Sequence, residues 1–354
     1  MKEGKTCIGI SHGDVNGIGC EVILKALNDA RMLELFTPVI YSSPKVIGYY
    51  RKVLGLTNLN TISIRSAEEA QDNRINVVNC INDEIRVEMG KSTQQGGESA
   101  LISLQSLVTD MKNGLLDAMV TAPINKHNMQ SENFKFSGHT EYLKSEFGND
   151  NVLMLMTSET LRIGILTGHV PLSQAPALVT QDKLVSTLRL INKTMLEDFN
   201  INRPNIAVLS LNPHAGDNGL LGGEEQATII PAIEIAKNEG IMAFGPYPSD
   251  GFFGSENYKK FDVTLAMYHD QGMTAFKSLC FESGVNYTAG LSIVRTSPAH
   301  GTGYDIAGKN MASPESFRKA IYMACDIIKN RKQNQLLKEN AMKNIEVKHV
   351  EEDN

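Results

Sequence analysis

Cysteine is scarce in this 354-residue chain: Cys7, Cys20, Cys80, Cys280 and Cys325 are odd in number, far apart and form no CxxC pair. The pattern argues against a disulfide framework and reads as reduced thiols of a cytoplasmic protein, mostly buried as small hydrophobes. No apolar span reaches the roughly 18 residues of a membrane helix, and no signal peptide opens the chain, so neither membrane insertion nor secretion is expected. Long basic runs are missing too. Lys and Arg number 34 against 40 Asp and Glu, a formal net charge of −6, which makes nucleic acid and anionic membranes poor partners. An anionic substrate must then be held by a few local cations. Internal repeats and Pro/Gly/Ser-rich linkers are absent. The roughly two domains that this length suggests are therefore joined by ordinary short connections, with a boundary near residues 130–140.

What is present is an alternation of short Val/Ile/Leu-rich runs with longer stretches of helical period, the sequence form of βα units around a parallel sheet. Strands are expected at Thr6–Ser11, Val39–Tyr41, Asn76–Cys80, Ala118–Ala122, Leu161–Thr167, Asn205–Leu211 and Val263–Tyr268. Their near-continuous apolar character fits a sheet covered by helices on both faces. Helices are expected at Glu21–Asn28, Glu98–Asn113, Gln181–Asp198 and Gly223–Asn238. Another starts at Ser313-Pro314-Glu315, with a cap residue, a proline and an acid in the first turn, and Phe317, Ile321, Ala324 and Ile328 on one face.

Three strand ends carry histidine. Leu161–Thr167 runs into His169, Asn205–Leu211 into His214 and Val263–Tyr268 into His269, each followed by turn-forming residues. In open parallel sheets, ligands sit outside the carboxyl ends of strands, so the three rings can converge. Neutral imidazole suits zinc, cobalt, nickel or iron, and three such ligands leave positions open for substrate. The separations of 45 and 55 residues are not a compact ligand spacing; each histidine alone reads rather as a strand-end cap, and it is the three together that point to a metal.

Ala118–Ala122 leads into Pro123-Ile-Asn-Lys126, and Gly138-His139-Thr140-Glu141 follows, a segment suited to donating hydrogen bonds to an oxyanion. Beyond His269 stand Lys277, Asn286 and Arg295. Arginine is a rigid fork for carboxylate or phosphate, and Arg295, read as the end of the strand Leu291–Val294, needs an anionic partner there. No GxGxxG follows the first strand. Gly13-Asp-Val-Asn-Gly17-Ile-Gly19 stands in its place, either bringing backbone N–H groups to an anion or making a tight strand-to-helix turn. His300-Gly301-Thr302-Gly-Tyr-Asp305 reads as a glycine-rich surface loop or as a loop that meets hydroxyls or adenine. Gly9-Ile-Ser11-His-Gly13 matches the GxSxG elbow and makes Ser11 a hydrolase candidate, although it sits on the first strand and no HGGG-type segment accompanies it.

Taken in order, Gly13–Gly19, Thr121–Lys126, Gly138–Glu141, Leu211-Asn-Pro-His-Ala-Gly216, Gly245-Pro-Tyr-Pro248, Ala266-Met-Tyr-His-Asp-Gln-Gly272 and Arg295-Thr-Ser297 resemble the 4-hydroxythreonine-4-phosphate dehydrogenase family over nearly the whole chain. The resemblance implies a two-domain α/β/α fold of the isocitrate/isopropylmalate dehydrogenase kind, with mostly parallel sheets. One α/β domain would take residues 15–135 plus 300–354. The other would take 1–14 plus 136–299 with the histidines, and the active site would lie in the cleft between them. The likeness further implies oxidation and decarboxylation of 4-phosphohydroxy-L-threonine to 3-amino-2-oxopropyl phosphate, in pyridoxal phosphate biosynthesis, with NAD or NADP and a divalent metal.

By the same likeness His169, His214 and His269 match the ligands of that ion, be it zinc, cobalt or magnesium. His139, Thr140, Lys277, Asn286 and Arg295 match the positions that bind the small phosphorylated hydroxy acid. His300, Gly301, Thr302 and Asp305 fall in a segment similar to a dinucleotide loop, and a homodimer sharing the metal site between chains is implied. Asp250 and Asp270 are candidates for the general base by position alone. Val15, Asn16 and Cys20 stand where the family's first loop has Pro, Ala and Pro, which leaves substrate detail open. Threonate or erythronate 4-phosphate is therefore the alternative substrate, and a phosphate-handling acyltransferase without NAD or metal is the alternative within the same fold.

Overall fold

A computed structural model describes residues 5–131, 134–136, 138–148 and 151–350. Twelve strands among them form one sheet: β1 (Thr6–Ser11), β2 (Phe36–Ser42), β3 (Thr61–Ile64), β4 (Ile75–Asn79), β5 (Ala118–Thr121), β6 (Leu153–Thr157), β7 (Arg162–Thr167), β8 (Ile206–Leu209), β9 (Ala243–Tyr247), β10 (Val263–Tyr268), β11 (Val285–Ala289) and β12 (Val294–Pro298). Their order is β3-β4-β2-β1-β5-β12-β11-β6-β7-β10-β8-β9. All seven expected strands are there, as β1, β2, β4, β5, β7, β8 and β10. Most pairs are parallel, but β11 runs antiparallel to both β12 and β6, and β6 antiparallel to β7. The middle of the sheet is thus a short antiparallel stretch flanked by two parallel wings.

Helices cover both faces, as the continuous apolar runs required. The helix Gln94–Lys112 is capped by Thr93, whose hydroxyl accepts from Gly96 N, and Gln181–Glu197 by Thr180, which accepts from Lys183 N. The helix Glu315–Val350 begins where Ser313-Pro-Glu predicted and buries Phe317, Ile321, Ala324 and Ile328 on one face. The helix expected at Gly223–Asn238 differs at its start: Glu225–Ile229 is a π turn that passes into the α-helix Ile230–Asn238. Its first residue, Glu225, is fully buried.

Two further expectations change. β1 lies between β2 and β5, so the opening strand belongs with the wing made by residues 15–135 and not with the histidine-bearing wing. Parallel pairing with β2 and β5, in register along all four or more residues, is what holds it there. Arg295 is not at the end of a strand Leu291–Val294; it is the second residue of β12, which starts at Val294.

Candidate active site

One face of the antiparallel stretch supplies the floor of a cavity of about 240 Å³. Side chains alternate across a sheet, so Arg295 and Ser297 on β12, Asn286 on β11, and Met154 and Met156 on β6 all point the same way. The walls come from the carboxyl ends of the parallel strands: Thr121 to Lys126 after β5, His169 after β7 and His269 after β10. Gly138, His139, Thr140 and Glu141 close one side, and His300 and Gly301 another.

Arg295 is the dominant charge on the floor. It is 3 % exposed, and its guanidinium donates only to hydroxyls: Nε and Nη2 to Thr121 Oγ1 at 3.1 and 2.7 Å, and Nη1 to Thr288 Oγ1 at 3.0 Å. Among the described residues it forms no ion pair. Burial pulls its pKa down to about 10, opposed by the Glu141 carboxylate. A buried cation held by neutral groups alone retains unmet affinity for an anion.

His139 opens the helix His139–Phe147, whose first backbone N–H groups have no intrahelical acceptor. Burial first, then Arg295 and Lys126, hold its imidazole well below the usual range, and its Nε2 is buried without a partner. It is a neutral ring at neutral pH. The Asn286 Oδ1 atom is likewise buried and unpartnered. These orphaned atoms at one concave site are acceptors and donors prepared for a ligand.

His169 and His269 face each other with ring centroids 5.4 Å apart and planes at 42°. Two imidazoles sharing one ion through bonds of about 2.0–2.1 Å adopt this kind of spacing. The His269 Nδ1 atom lies 2.7 Å from Asp270 Oδ1, which leaves Nε2 as the free nitrogen. A carboxylate behind a ring nitrogen is the usual way such a ligand is oriented. His169 is shifted down by burial and then by Lys126.

The third histidine does not join them. His214 is exposed, and among the described residues no group of three His, Cys, Asp or Glu is placed to hold an ion. After β8 the chain enters a run of left-handed residues, His214, Ala215, Gly216, Asp217 and Asn218, with φ of 52°, 53°, 78°, 43° and 56°. The buried Glu225 holds the base of this run, Oε1 accepting from Leu211 N and Asn212 N and Oε2 from Asn212 Nδ2. The expectation was three rings around one ion, in a site shared between two chains; within one chain this turn carries His214 away from the pair.

Other expected residues are scattered. Lys277 is exposed on the helix His269–Cys280 and does not line the cavity, whereas Lys126 and Glu141, unassigned from sequence, do. Asp250 is exposed on the helix Ser249–Gly254, and Asp270 lies with His169 and His269 in a second cavity that abuts the first. His300 and Gly301 line the main cavity; Thr302 gives its carbonyl to Ile18 N, and Asp305 is exposed.

The loop after β1 proves to be a structural turn. Its N–H groups are already engaged: Asp14 N with Pro123 O, Asn16 N with Asp14 Oδ1, and Ile18 N with Thr302 O. Gly13 has φ of +71°, and a Cβ there would stand 2.3 Å from Pro123 O. Asn16 bridges Thr93 and Glu88, Cys20 is buried with its thiol pushed up to about 12, and Tyr304 donates to Asp14 Oδ2 at 2.6 Å. The departures at Val15, Asn16 and Cys20 therefore lie in buried packing, away from the cavity. Ser11 is buried with no partner on its Oγ, and the neighbouring His12 bonds through Nδ1 to Tyr41 O. An elbow nucleophile must be exposed beside a base, so the hydrolase reading fails.

The chain is similar to known proteins. A family model described as pyridoxal phosphate biosynthetic protein PdxA matches residues 34–324. A 4-hydroxythreonine-4-phosphate dehydrogenase of Bacteroides thetaiotaomicron is 50% identical over 344 residues, covering 97% of this chain and 94% of that protein. A protein of Oceanobacillus iheyensis, assigned provisionally as a D-threonate 4-phosphate dehydrogenase, is 36% identical over 327 residues, 91% of this chain and 98% of its own. The crystal structure of 4-hydroxythreonine-4-phosphate dehydrogenase from Klebsiella pneumoniae superposes with a TM-score of 0.76 at 31% identity, covering 92% of this chain and all of that one (100%).

Proposed function

The chain belongs to the PdxA family of pyridoxal phosphate biosynthetic proteins, and from that premise we propose that it is an oxidoreductase that converts 4-phosphohydroxy-L-threonine, with decarboxylation, to 3-amino-2-oxopropyl phosphate. The observation that carries the reading is the buried Arg295, bonded to hydroxyls alone on the cavity floor. A guanidinium so placed presents a fork to the substrate carboxylate. Asn286 and Ser297, beside it on the same face, hydrogen-bond the substrate's polar groups, and Met154 and Met156 keep water from the reacting carbons. His139, neutral at the helix start, and Thr140 donate to the anionic end together with the free N–H groups of that turn.

His169 and His269 would hold a divalent cation, completed by His214 from a second copy of the chain, since no third ligand stands near the pair among the described residues of one chain. When bound there, it would supply Lewis-acid polarisation of the substrate's hydroxyl oxygen. His300 and Gly301 extend the cavity toward the segment read as the loop for NAD or NADP. Asp270 orients His269 through Nδ1 and so serves the ligand ring; with Asp250 it is also within the set of base candidates. A homodimer and a cytoplasmic setting belong to the same reading. We also retain two α/β units meeting at the cavity, one on each wing of the sheet. No helix of the described chain is long and apolar enough to cross a membrane.

The test is NAD reduction with 4-phosphohydroxythreonine, threonate 4-phosphate and erythronate 4-phosphate, each with and without chelator. Reduction with the first, lost on chelation, is the expected result. Turnover of threonate 4-phosphate in its place would move the substrate assignment. Reduction that ignores the chelator would remove the metal.

A further inference from the structure

Among the described residues that line the cavity, Lys126, Glu141 and Arg295 are those with a formal charge, histidine apart. The formal charges of Arg295 and Glu141 cancel, which leaves that of Lys126. A Cβ built at Gly138 would stand 3.2 Å from Lys126 Cε and 3.7 Å from Nζ. The lysine therefore reaches across Gly138, the residue that caps the helix His139–Phe147, and sets its ammonium at the end of the helix where N–H groups are free. Beside it the His139 Nε2 atom is buried and unpartnered. Glu141 Oε2 lies 3.6 Å from the same Gly138 position, near enough to offset Arg295 but with no ion pair to Lys126 among the described residues.

We propose that Lys126 is the phosphate-binding cation of this cavity, an assignment that rests on the reading of the site as one for a phosphorylated acid. Arg295, buried and fork-shaped, suits the planar carboxylate, whereas the ammonium of an exposed lysine beside a helix N-terminus suits a tetrahedral dianion. Without Lys126 the formal charges of the lining side chains sum to zero.

The experiment measures inorganic phosphate binding by calorimetry, and KM and kcat for the phosphorylated substrate, in wild type, Lys126→Met and Lys126→Arg. K126M is expected to weaken phosphate by about tenfold or more and to raise KM by a similar factor with a smaller change in kcat; K126R restores most of both. A melting temperature equal to wild type in K126M separates this from unfolding, and the rescue by arginine separates it from a packing effect. Wild-type phosphate affinity in K126M, or the same loss in Lys277→Met in its place, overturns the assignment while leaving the dehydrogenase reading intact. A wild-type protein that neither binds phosphate nor turns over a phosphorylated acid overturns both.

Discussion

Arg295 shows how a single residue can be legible in type and not in setting. Its chemistry was read from sequence, but its position inside β12, with two threonine hydroxyls for company, came from the strand register. Replacing it tests the site at its floor. Arg295→Lys keeps the charge and loses the fork, so kcat/KM should fall by about ten- to a hundredfold, the worth of one or two charge-assisted bonds, with little change in melting temperature. A variant with wild-type kinetics would refute the role. His12 makes a second prediction. Burial lowers its pKa to about 4 against 6.5 unfolded, so between those values the unfolded chain binds a proton that the native one refuses. Stability is undiminished above pH 6.5 and falls as pH drops toward 4, by about 3 kcal/mol from this group. His12→Gln should flatten the stability-versus-pH curve over that window in denaturant titrations; an unchanged slope would show that the ring is not held neutral. Lys126 and Glu141 escaped the sequence reading because a motif marks a loop without saying which of its side chains turns inward.

At the scale of elements, strands in parallel wings announced themselves through unbroken apolar runs, and those at the centre did not. β12 reads Val-Arg-Thr-Ser-Pro and β11 Val-Asn-Tyr-Thr-Ala, because one face of each is spent on the cavity and carries Arg295, Ser297 and Asn286. Function breaks the hydrophobic pattern where the site is built. The left-handed run at 214–218 was legible only as a turn: a φ of 53° at Ala215 costs a residue with a Cβ about 1–2 kcal/mol, and nothing in the sequence singles that alanine out. Ala215→Gly should therefore be neutral to about 1 kcal/mol stabilising in chemical denaturation, because relief of strain outweighs added chain entropy. Gly216→Ala should destabilise, since its Cβ would come 2.7 Å from Glu225 Oε2. A destabilising A215G would mean that the turn is not held as described.

At the scale of the whole molecule, the two wings meet over the cavity, yet one chain supplies only two of the three histidines. If His214 arrives from a second copy, inactive His169→Ala and inactive His214→Ala subunits complement each other. A mixed dimer then holds one site with all three rings, taking His169 and His269 from one subunit and His214 from the other. Unfolding each variant, mixing them equally, refolding and measuring NAD reduction with 4-phosphohydroxythreonine is the direct test. Random pairing into dimers should return about a quarter of wild-type activity, together with bound metal that neither variant retains alone. Full activity in either single variant, or none in the mixture, would contradict the account.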